Sequence, residues 1–478
     1  MRSMEFYIDG AWRQPMAPKP QPVFNPSTEE PFANIAWATE VDVNAAVAAA
    51  RRAFATWGAT GKAERLAALQ RLITVYERRI DEMAAVISQD MGAPIDFATA
   101  QQATAGNWHL RAFAEALDGM TFERAFRPDM PQHRIALEPA GVAALITPWN
   151  WPMNQICLKV GAALAAGCTM VLKPSEVAPM SAVLFAEFMH EAGIPAGVFN
   201  LIQGDGAGTG TALTTHPDVD VVSFTGSTRA GIAISKAAAD TIKRVSLELG
   251  GKSPNLVFAD CDLAKAVRYG AALCFSNSGQ SCNAPTRMLV ERSVYDQAVE
   301  IAAETARATK VDRALNAGGH IGPLVSETQF LKVQSLIETG MAEDGRLVCG
   351  GPGRPEGLNR GWFARPTVFA DVTPEMTLWR EEVFGPVLAM TPFDGEDEAI
   401  ALANDTAYGL TAYLQSGSPE RIRRVTPRLR AGMVQINGAS RAAGTPFGGY
   451  KQSGNGREGG TWGIEEFLEV KSVSGWPA

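Results

Sequence analysis

Apolar side chains follow two different periodicities along the chain. Within 41–54 and 66–83 they recur at near-helical spacing, which predicts amphipathic helices in the first hundred residues. Beyond Pro139, short apolar runs rich in β-forming residues alternate with helical stretches, and this alternation predicts βαβ units with a parallel sheet. The runs are 142–146, 169–172, 198–202, 219–224 and 245–249.

The same rhythm restarts after the pair Gly250 and Gly251, which predicts a second α/β domain. A crevice for a cofactor and a substrate is expected at this glycine hinge. The segment 467–473 reads as one more strand, without an obvious partner inside either block. The strands of the second block are predicted at 255–258, 287–290, 387–390, 411–414 and 433–436.

Composition narrows the class of protein. A chain of 478 residues exceeds the roughly 250 to 300 at which one core stops growing, so two or more cores are expected. The net charge of -8 and the lack of a basic stripe argue against nucleic acid as a partner. The longest weakly polar run, 160–172, is shorter than the about 20 residues of a membrane span and predicts a buried helix and strand. No secretory signal is visible, so we expect a cytoplasmic protein.

The six cysteines form no C-x-x-C pair and the five histidines no zinc-protease pair. Reduced thiols and no metal are therefore expected. Cys282 differs from the other cysteines because small polar residues surround it on a predicted loop before a strand. Such a setting offers the access and lowered pKa of a nucleophile, whereas the alternative is a buried structural cysteine.

Glu248 is the best candidate for a general base. It ends an apolar strand just before the two glycines, where it would face the crevice, and burial there should raise its pKa toward neutrality. The alternative is a surface glutamate at a strand end.

Two segments favour a nucleotide. Phe224, Thr225, Gly226 and Ser227 follow a predicted strand and open a helix, an arrangement that points backbone N–H groups at phosphate. The segment 204–210 only imitates a dinucleotide fingerprint and is interpreted as a turn and a helix start. Lys173, Ser175 and Glu176 follow another strand, where a glutamate can accept both ribose hydroxyls of an adenosine; the alternative is a solvated turn.

Taken together, these segments resemble the aldehyde dehydrogenase superfamily over nearly the whole chain. Seven motifs occur in the family's order, which chance does not explain. They are TPWNWP at 147–152, KPSE at 173–176, FTGST at 224–228, LELGGK at 247–252, GQSC at 279–282, EEVFGPV at 381–387 and PFGGYKQSG at 446–454.

The resemblance implies oxidation of an aldehyde to a carboxylic acid with reduction of NAD(P). Cys282 would attack the carbonyl, Asn150 and the Cys282 backbone N–H would hold the oxyanion, and Glu248 would activate the water that hydrolyses the thioester. Lys173 and Glu458 are further catalytic candidates, Glu458 as a proton relay with Glu248. Glu176 would repel a 2′-phosphate, which favours NAD while leaving NADP possible.

The resemblance also implies which residues contact the cofactor and substrate. Lys173 and Glu176 would hold the adenosine ribose, Ser227 the pyrophosphate and Glu382 the nicotinamide ribose, with Phe384 against the ring. The full predicted cofactor set is Thr147, Pro148, Trp149, Lys173, Ser175, Glu176, Gly206, Phe224, Thr225, Gly226, Ser227, Leu249, Glu382 and Phe384. The predicted substrate tunnel is lined by Trp151, Asn154, Gln155, Leu158, Ser281, Asn283 and Phe447, whose polar members favour an aldehyde with a polar or heteroaromatic tail over a long alkanal.

The implied fold is α/β: a Rossmann-like coenzyme-binding domain, a second α/β catalytic domain and a small β oligomerisation arm. The predicted boundaries are 1–120 with 140–250, 251–448, and 121–139 with 462–478 respectively. The arm and C-terminal strand would reach a neighbouring subunit in a homodimer or homotetramer.

Three other functions stay open. A CoA-acylating dehydrogenase would pass the acyl group to CoA and needs no water-activating base, so the presence of Glu248 argues against it. A cofactor-free thiol esterase would turn over an activated ester without NAD, and a protein on this scaffold could also be a non-catalytic binding protein.

Overall fold

The computed structural model describes residues 2–477. The strands are β1 Phe6–Ile8, β2 Ala11–Arg13, β3 Pro20–Asn25, β4 Glu30–Ala36, β5 Glu123–Ala125, β6 His133–Pro139, β7 Val142–Ile146, β8 Thr169–Lys173, β9 Phe199–Leu201, β10 Val221–Thr225, β11 Arg244–Glu248, β12 Pro254–Val257, β13 Arg287–Glu291, β14 Arg346–Cys349, β15 Thr367–Ala370, β16 Val387–Phe393, β17 Thr411–Gln415, β18 Met433–Ile436 and β19 Leu468–Ser474. The α-helices are α1 Glu40–Trp57, α2 Lys62–Arg78, α3 Ile80–Asp90, α4 Ile95–Phe97, α5 Thr104–Gly119, α6 Pro152–Ala166, α7 Met180–Glu191, α8 Thr211–Thr215, α9 Thr228–Ala238, α10 Leu263–Phe275, α11 Tyr295–Ala308, α12 Glu327–Ala342, α13 Thr377–Arg380, α14 Gly395–Asn404, α15 Pro419–Val425 and α16 Gly460–Glu465.

The first sheet has the order β11-β10-β7-β8-β9-β1-β2. Its strands from β11 to β9 are parallel, and β7, β8 and β10 are buried along their whole length, as expected for near-continuous apolar runs covered by helices on both faces. Each predicted strand of the first block is present. The antiparallel edge strands β1 and β2 are additions that the sequence analysis missed.

The second sheet has the order β14-β15-β16-β13-β12-β17-β18. It contains the five predicted strands, all parallel to their neighbours, together with two unpredicted strands, β14 and β15. The α/β class with a Rossmann-like parallel sheet is confirmed by this architecture and by the solved relatives described below.

The weakly polar run 160–172 forms the end of α6 and the strand β8, both buried, as predicted. Among residues 2–477, no helix combines the length and the apolar character needed to cross a membrane.

The C-terminal strand β19 has a partner in the arm. It pairs antiparallel with β6, from Leu468 opposite Pro139 to Ser474 opposite His133, and β5 completes a three-stranded sheet. This sheet exposes Val470, which is 71% accessible. An exposed strand that carries an apolar residue at its surface fits the predicted subunit contact, and the oligomer itself stays a prediction.

The topology places the chemistry at one junction. Because β11, β10, β7 and β8 are parallel neighbours, their carboxyl ends form one continuous edge. The loops that precede β12, β13 and β16 of the second sheet meet this edge. Gly251 fits here because any side chain would overlap the backbone carbonyl of Cys282, and a side chain at Gly250 would contact the Glu382 carboxylate.

Candidate active site

Cys282 lies on the loop between α10 and β13, half-buried at the junction of the two sheets. The loop is shaped by Asn277 and Ser278, which have left-handed backbones with φ of 53° and 57°. Gly279 follows, also left-handed, and a side chain there would overlap the Gly385 carbonyl. This unusual run of backbone conformations turns the chain sharply and brings Cys282 to the edge of the first sheet.

The electrostatic setting of Cys282 corrects the sequence analysis. Burial raises the pKa of the Cys282 thiol far above its ordinary value, and the negative charges of Glu382 and Glu248 raise it further. The expected lowering of this pKa is therefore wrong, because the small polar neighbours on the loop do not offset carboxylates contributed by distant segments. Deprotonation of this thiol is favoured as the pH rises.

Replacing Glu382 with Gln is expected to move the pH profile of Cys282 alkylation to lower pH. Removing a negative charge beside the thiol stabilises the thiolate, so the midpoint falls toward the roughly 8.5 of a free cysteine. Iodoacetamide labelling at a series of pH values, read at Cys282 by peptide mass spectrometry, measures this midpoint. The exposed neighbour Glu381, as Glu381→Gln, is the matched control. An unchanged midpoint in Glu382→Gln would refute the electrostatic account.

Asn150 follows β7 and is buried against the Cys282 loop. Its Nδ2 donates to the Gln280 carbonyl at 3.1 Å. Its own carbonyl accepts from Gln102 Nε2 at 3.1 Å and from Asn277 Nδ2 at 2.9 Å. Gln102 and Asn277 therefore fix the backbone of Asn150 relative to Cys282, a role that the sequence analysis missed.

Glu248 ends β11 and is 2% accessible. Neither of its carboxylate oxygens has a hydrogen-bond partner among the described residues. Burial raises the pKa of Glu248 well above its ordinary value, and the nearby charge of Glu458 raises it further. The direction is the one expected from its position at a buried strand end. A carboxyl group without partners and with a raised pKa is suited to exchanging a proton with water.

Glu458 is held beside Glu248 by an ion pair. The Nζ of Lys159, on α6, lies 2.6 Å from Glu458 Oε1, and both side chains are buried. The same Nζ lies 3.0 Å from Ser223 Oγ on β10. The sequence analysis did not identify Lys159 as a site residue. The one feature that could have pointed to it is the presence of a lysine inside an otherwise apolar helix.

A cleft of about 670 Å³ opens onto Cys282 from the side of β10 and α9. Ser227 caps α9, and its Oγ accepts from the Ala230 N–H at 3.3 Å. The cleft brings together most of the predicted cofactor residues. From that set it is lined by Pro148, Trp149, Thr225, Gly226, Ser227, Leu249, Glu382 and Phe384, along with Asn150, Gly250, Cys282, Gln329 and Lys332.

Phe384 and Glu382 border the cleft from the second sheet's side. Phe384 has a left-handed backbone with φ of 58°, a conformation that costs about 1 to 3 kcal/mol for such a residue. Its carbonyl accepts from Gln329 Nε2 at 2.8 Å, and its ring meets Trp149 edge to face at 5.3 Å. Glu382 Oε1 accepts the Gly251 N–H at 2.9 Å.

Four more of the predicted cofactor residues, Thr147, Lys173, Ser175 and Glu176, lie at or just after the ends of β7 and β8 on the same edge. Lys173 Nζ is 3.5 Å from Glu176 at the end of β8, and Thr147 N–H donates to the Lys173 carbonyl at 3.2 Å. Ser175 Oγ accepts the Val177 N–H at 3.2 Å. Lys173 lies beside Glu176, its predicted partner at the adenosine ribose. Its cofactor and catalytic assignments both stay predictions.

A separate open groove runs along α8 and α9. It is lined by Gly206, Phe224, Ile146 and Arg229 among others, and it measures about 1110 Å³. Gly206 opens a short π-helical turn whose Asp205 cap accepts from the Gly208 N–H at 2.9 Å. The segment 204–210 is thus a turn and a helix start, as interpreted from the sequence.

Two of the predicted substrate residues, Ser281 and Asn283, are the chain neighbours of Cys282, and the others stay predictions. Trp151 Nε1 donates to Ser281 Oγ at 2.8 Å. Asn154 Oδ1 lies 2.7 Å from His109 Nε2, a partner that the sequence analysis missed. The Asn283 carbonyl accepts from the Tyr413 hydroxyl at 2.8 Å. Trp151, Asn154, Gln155 and Leu158 follow one face of α6 by helical spacing.

The sequence and the fold are similar to those of known proteins. The model of the "Aldehyde dehydrogenase family" matches residues 12–473. A 3-succinoylsemialdehyde-pyridine dehydrogenase from Pseudomonas sp is 51% identical over 473 residues, 99% of this chain and 98% of that protein. The crystal structure of an aldehyde dehydrogenase from Bartonella henselae superposes with a TM-score of 0.98 at 52% identity, covering 99% of each chain. A mutant aldehyde dehydrogenase C from Pseudomonas syringae, in complex with NAD+ and octanal, has a TM-score of 0.98 at 47% identity over 100% of this chain and 97% of that one. The resemblance drawn from the seven motifs is confirmed, and the chain belongs to the aldehyde dehydrogenase family.

Proposed function

We propose that this protein oxidises an aldehyde to its carboxylic acid with reduction of NAD, through a thioester on Cys282. The observation that carries the proposal is the convergence of three groups at the junction of the sheets. Cys282 opens onto the cleft, Asn150 is fixed against the Cys282 loop, and the charge of Glu248 acts on the Cys282 thiol. A nucleophile, a hydrogen-bond donor and a base in one place are the elements of acyl transfer to water.

The cleft residues fit a dinucleotide. The N-terminus of α9, capped by Ser227, presents backbone N–H groups suited to a pyrophosphate. Glu382, already accepting the Gly251 N–H, and the ring of Phe384 border the end nearest Cys282. The Glu176 carboxylate is suited to ribose hydroxyls and disfavours a 2′-phosphate, so NAD is preferred over NADP. When bound, the nicotinamide accepts a hydride from the reacting carbon.

Side chains and backbone groups of the protein carry out the other steps of the reaction. The Cys282 thiol loses its proton to solvent as its sulfur bonds to the aldehyde carbon, and the Asn150 amide with the Cys282 backbone N–H stabilises the oxygen that becomes negative. After oxidation, Glu248 takes a proton from water, whose oxygen attacks the thioester carbon. The carbon–sulfur bond then breaks, the acid is released and the sulfur regains a proton. Glu458, held by Lys159, is positioned to adjust the protonation of Glu248 through its charge.

The relatives point to different aldehyde tails. The Pseudomonas sp relative is named for a pyridine-bearing semialdehyde, whereas the Pseudomonas syringae enzyme holds octanal. Asn154, Gln155 and Asn283 make the tunnel of this chain polar, so we propose a substrate with a polar or heteroaromatic tail. A long alkanal giving the highest kcat/KM in a varied aldehyde panel would refute this choice.

The function is tested by mixing the protein with NAD and a panel of aldehydes in the absence of CoA. Absorbance of the reduced cofactor should rise steadily over many turnovers, with the carboxylic acid as product. Turnover that required added CoA would indicate an acylating dehydrogenase instead. Ester hydrolysis without any aldehyde oxidation would indicate a thiol esterase.

Replacing Asn150 with Ala is expected to lower kcat by about 10²- to 10³-fold, because one donor to the oxyanion is lost. The measurement is steady-state turnover with a saturating aldehyde, and NAD affinity and thermal melting should stay close to those of the parent protein. Asn150→Ala with normal kcat would exclude the amide as an oxyanion donor.

A further inference from the structure

Arg441 places a positive charge beside the reaction chamber, by which we mean the surroundings of Cys282, Glu248 and Glu458. Its guanidinium carbon lies 5.0 Å from the ring centre of Phe447 and 5.7 Å from that of Trp108. Its Nη1 donates to the Thr445 carbonyl at 3.0 Å. Within residues 2–477 no carboxylate forms an ion pair with it. A half-buried arginine that stacks between two rings and lacks an anion keeps donor capacity for a ligand.

The position of Arg441 relative to the two buried carboxyl groups follows from its contacts. A side chain at Gly459, the residue after Glu458, would lie 3.9 Å from Arg441 Nη1, and a side chain at Gly448, the residue after Phe447, would lie 2.7 Å from Glu248 Oε1. The guanidinium is thus close to the chamber, and the charges of Glu458, Cys282 and Glu248 act on it. Phe447 is tied to Glu458 by two backbone hydrogen bonds of 2.7 and 2.8 Å. The ring on which Arg441 stacks is thereby fixed relative to the chamber.

The wall next to Arg441 is polar and preorganised. His109 is buried beside Trp108, and burial, with a contribution from the Arg441 charge, lowers the pKa of His109 to about 3. The imidazole is therefore neutral, and its Nε2–H donates to Asn154 Oδ1 at 2.7 Å. Among residues 2–477 the Asn154 Nδ2 has no hydrogen-bond acceptor, so its N–H groups can donate to a ligand. Gln155 Oε1, one residue along α6, is buried without a partner among the described residues.

The balance of charge around the chamber favours an acceptor on the substrate. Lys159 and Glu458 neutralise each other, and Glu248 is held toward its neutral form by its raised pKa. Arg441 then supplies an uncompensated positive charge. A guanidinium binds a carboxylate through two parallel N–H bonds, and it binds a carbonyl oxygen more weakly.

We propose that Arg441 is a specificity-determining residue whose guanidinium binds an oxygen carried by the aldehyde several bonds from the reacting carbon. The substrate class is an aldehyde with a second carbonyl function, either a carboxylate or a ketone. This inference rests on the proposed function and deepens it. The N–H groups of the Asn154 amide donate further hydrogen bonds to the same oxygen-bearing tail, whereas the aldehyde carbon lies at Cys282.

The test compares three aldehydes of similar length: succinic semialdehyde, 4-oxopentanal and pentanal. The parent protein should give the higher kcat/KM with one or both oxygen-bearing aldehydes. Arg441→Met should lower that value by about 10- to 100-fold, mainly through KM, because a charge-assisted hydrogen bond is lost. Its kcat/KM with pentanal should stay within about 3-fold. Arg441→Lys should recover part of the preference for the carboxylate, since it keeps the charge.

A matched control is Arg430→Met. Arg430 also stacks on an aromatic ring, 5.2 Å from the centre of Tyr450, but it is exposed to solvent. This variant should leave the ratio of the three kcat/KM values unchanged. The proposal would be overturned if Arg441→Met lowered kcat/KM equally for all three aldehydes, or if it left all three values unchanged. Either result would still be consistent with aldehyde oxidation by the parent protein. Failure of the parent protein to reduce NAD with any aldehyde would overturn both the proposed function and this assignment.

Discussion

Replacing Cys282 with Ala should reduce aldehyde-dependent NAD reduction by more than about 10⁴-fold, to the level of the uncatalysed background. The reason is that the sulfur forms the bond on which the later steps depend, and no other described cysteine opens onto the cleft. The measurement is steady-state absorbance of the reduced cofactor. Intact-protein mass spectrometry of the parent protein with substrate should show an acyl adduct on Cys282 that the variant lacks.

Cys261 supplies the control for this substitution. It is also half-buried, but it lies on a loop between two aspartates, away from the cleft, and its pKa is raised to about 11 by burial and by those aspartates. Cys261→Ala should keep normal turnover. Thermal melting should show that both variants are folded. Steady oxidation by Cys282→Ala, or an acyl adduct that never forms at Cys282, would contradict the covalent mechanism.

Much of the first sheet's contribution to the site could be predicted from the sequence. Parallel strands align their carboxyl ends, so Asn150 after β7, Lys173 at the end of β8 and Glu248 at the end of β11 are brought to one edge once the alternating pattern is recognised. The motifs added the order of these segments and the assignment of Cys282 as the proposed nucleophile. Short edge strands such as β1, at three residues, carry too little periodicity to be recognised.

The pKa shifts of the site residues could not be predicted from the sequence in the same way. The pKa of Cys282 depends on Glu382, which lies on the segment before β16 and a hundred residues away in the chain. The contacts of His109 with Asn154 on α6, and of Arg441 with Trp108, likewise join segments that are distant in the sequence, so the sequence did not predict them. Local composition around Cys282 therefore predicted its partial exposure on a loop but gave the wrong direction for its pKa, because that pKa is set by tertiary contacts.

Replacing Glu248 with Gln should separate acylation from hydrolysis. Glutamine has nearly the same shape but cannot take a proton from water, so the thioester should form once and then persist. Rapid mixing with NAD and aldehyde should give a burst approaching one reduced cofactor per active site, followed by turnover at least about 10²-fold slower than that of the parent protein. The trapped acyl group should be found on Cys282 by mass spectrometry.

The pH dependence gives this prediction a second, independent readout. Because burial and Glu458 raise the pKa of Glu248, the basic form is gained only as the pH rises above the ordinary carboxyl range, and the hydrolytic rate of the parent protein should rise through that raised pKa. Glu248→Gln should lack this rise. Glu465→Gln is the control, since Glu465 is an exposed carboxylate at the end of α16 and its loss should leave the rise in hydrolytic rate unchanged. If Glu248 is the base, the acyl group can leave Cys282 rapidly only by reaction with a water that the Glu248 carboxylate has deprotonated. Normal steady turnover in Glu248→Gln would therefore mean that another group activates the water.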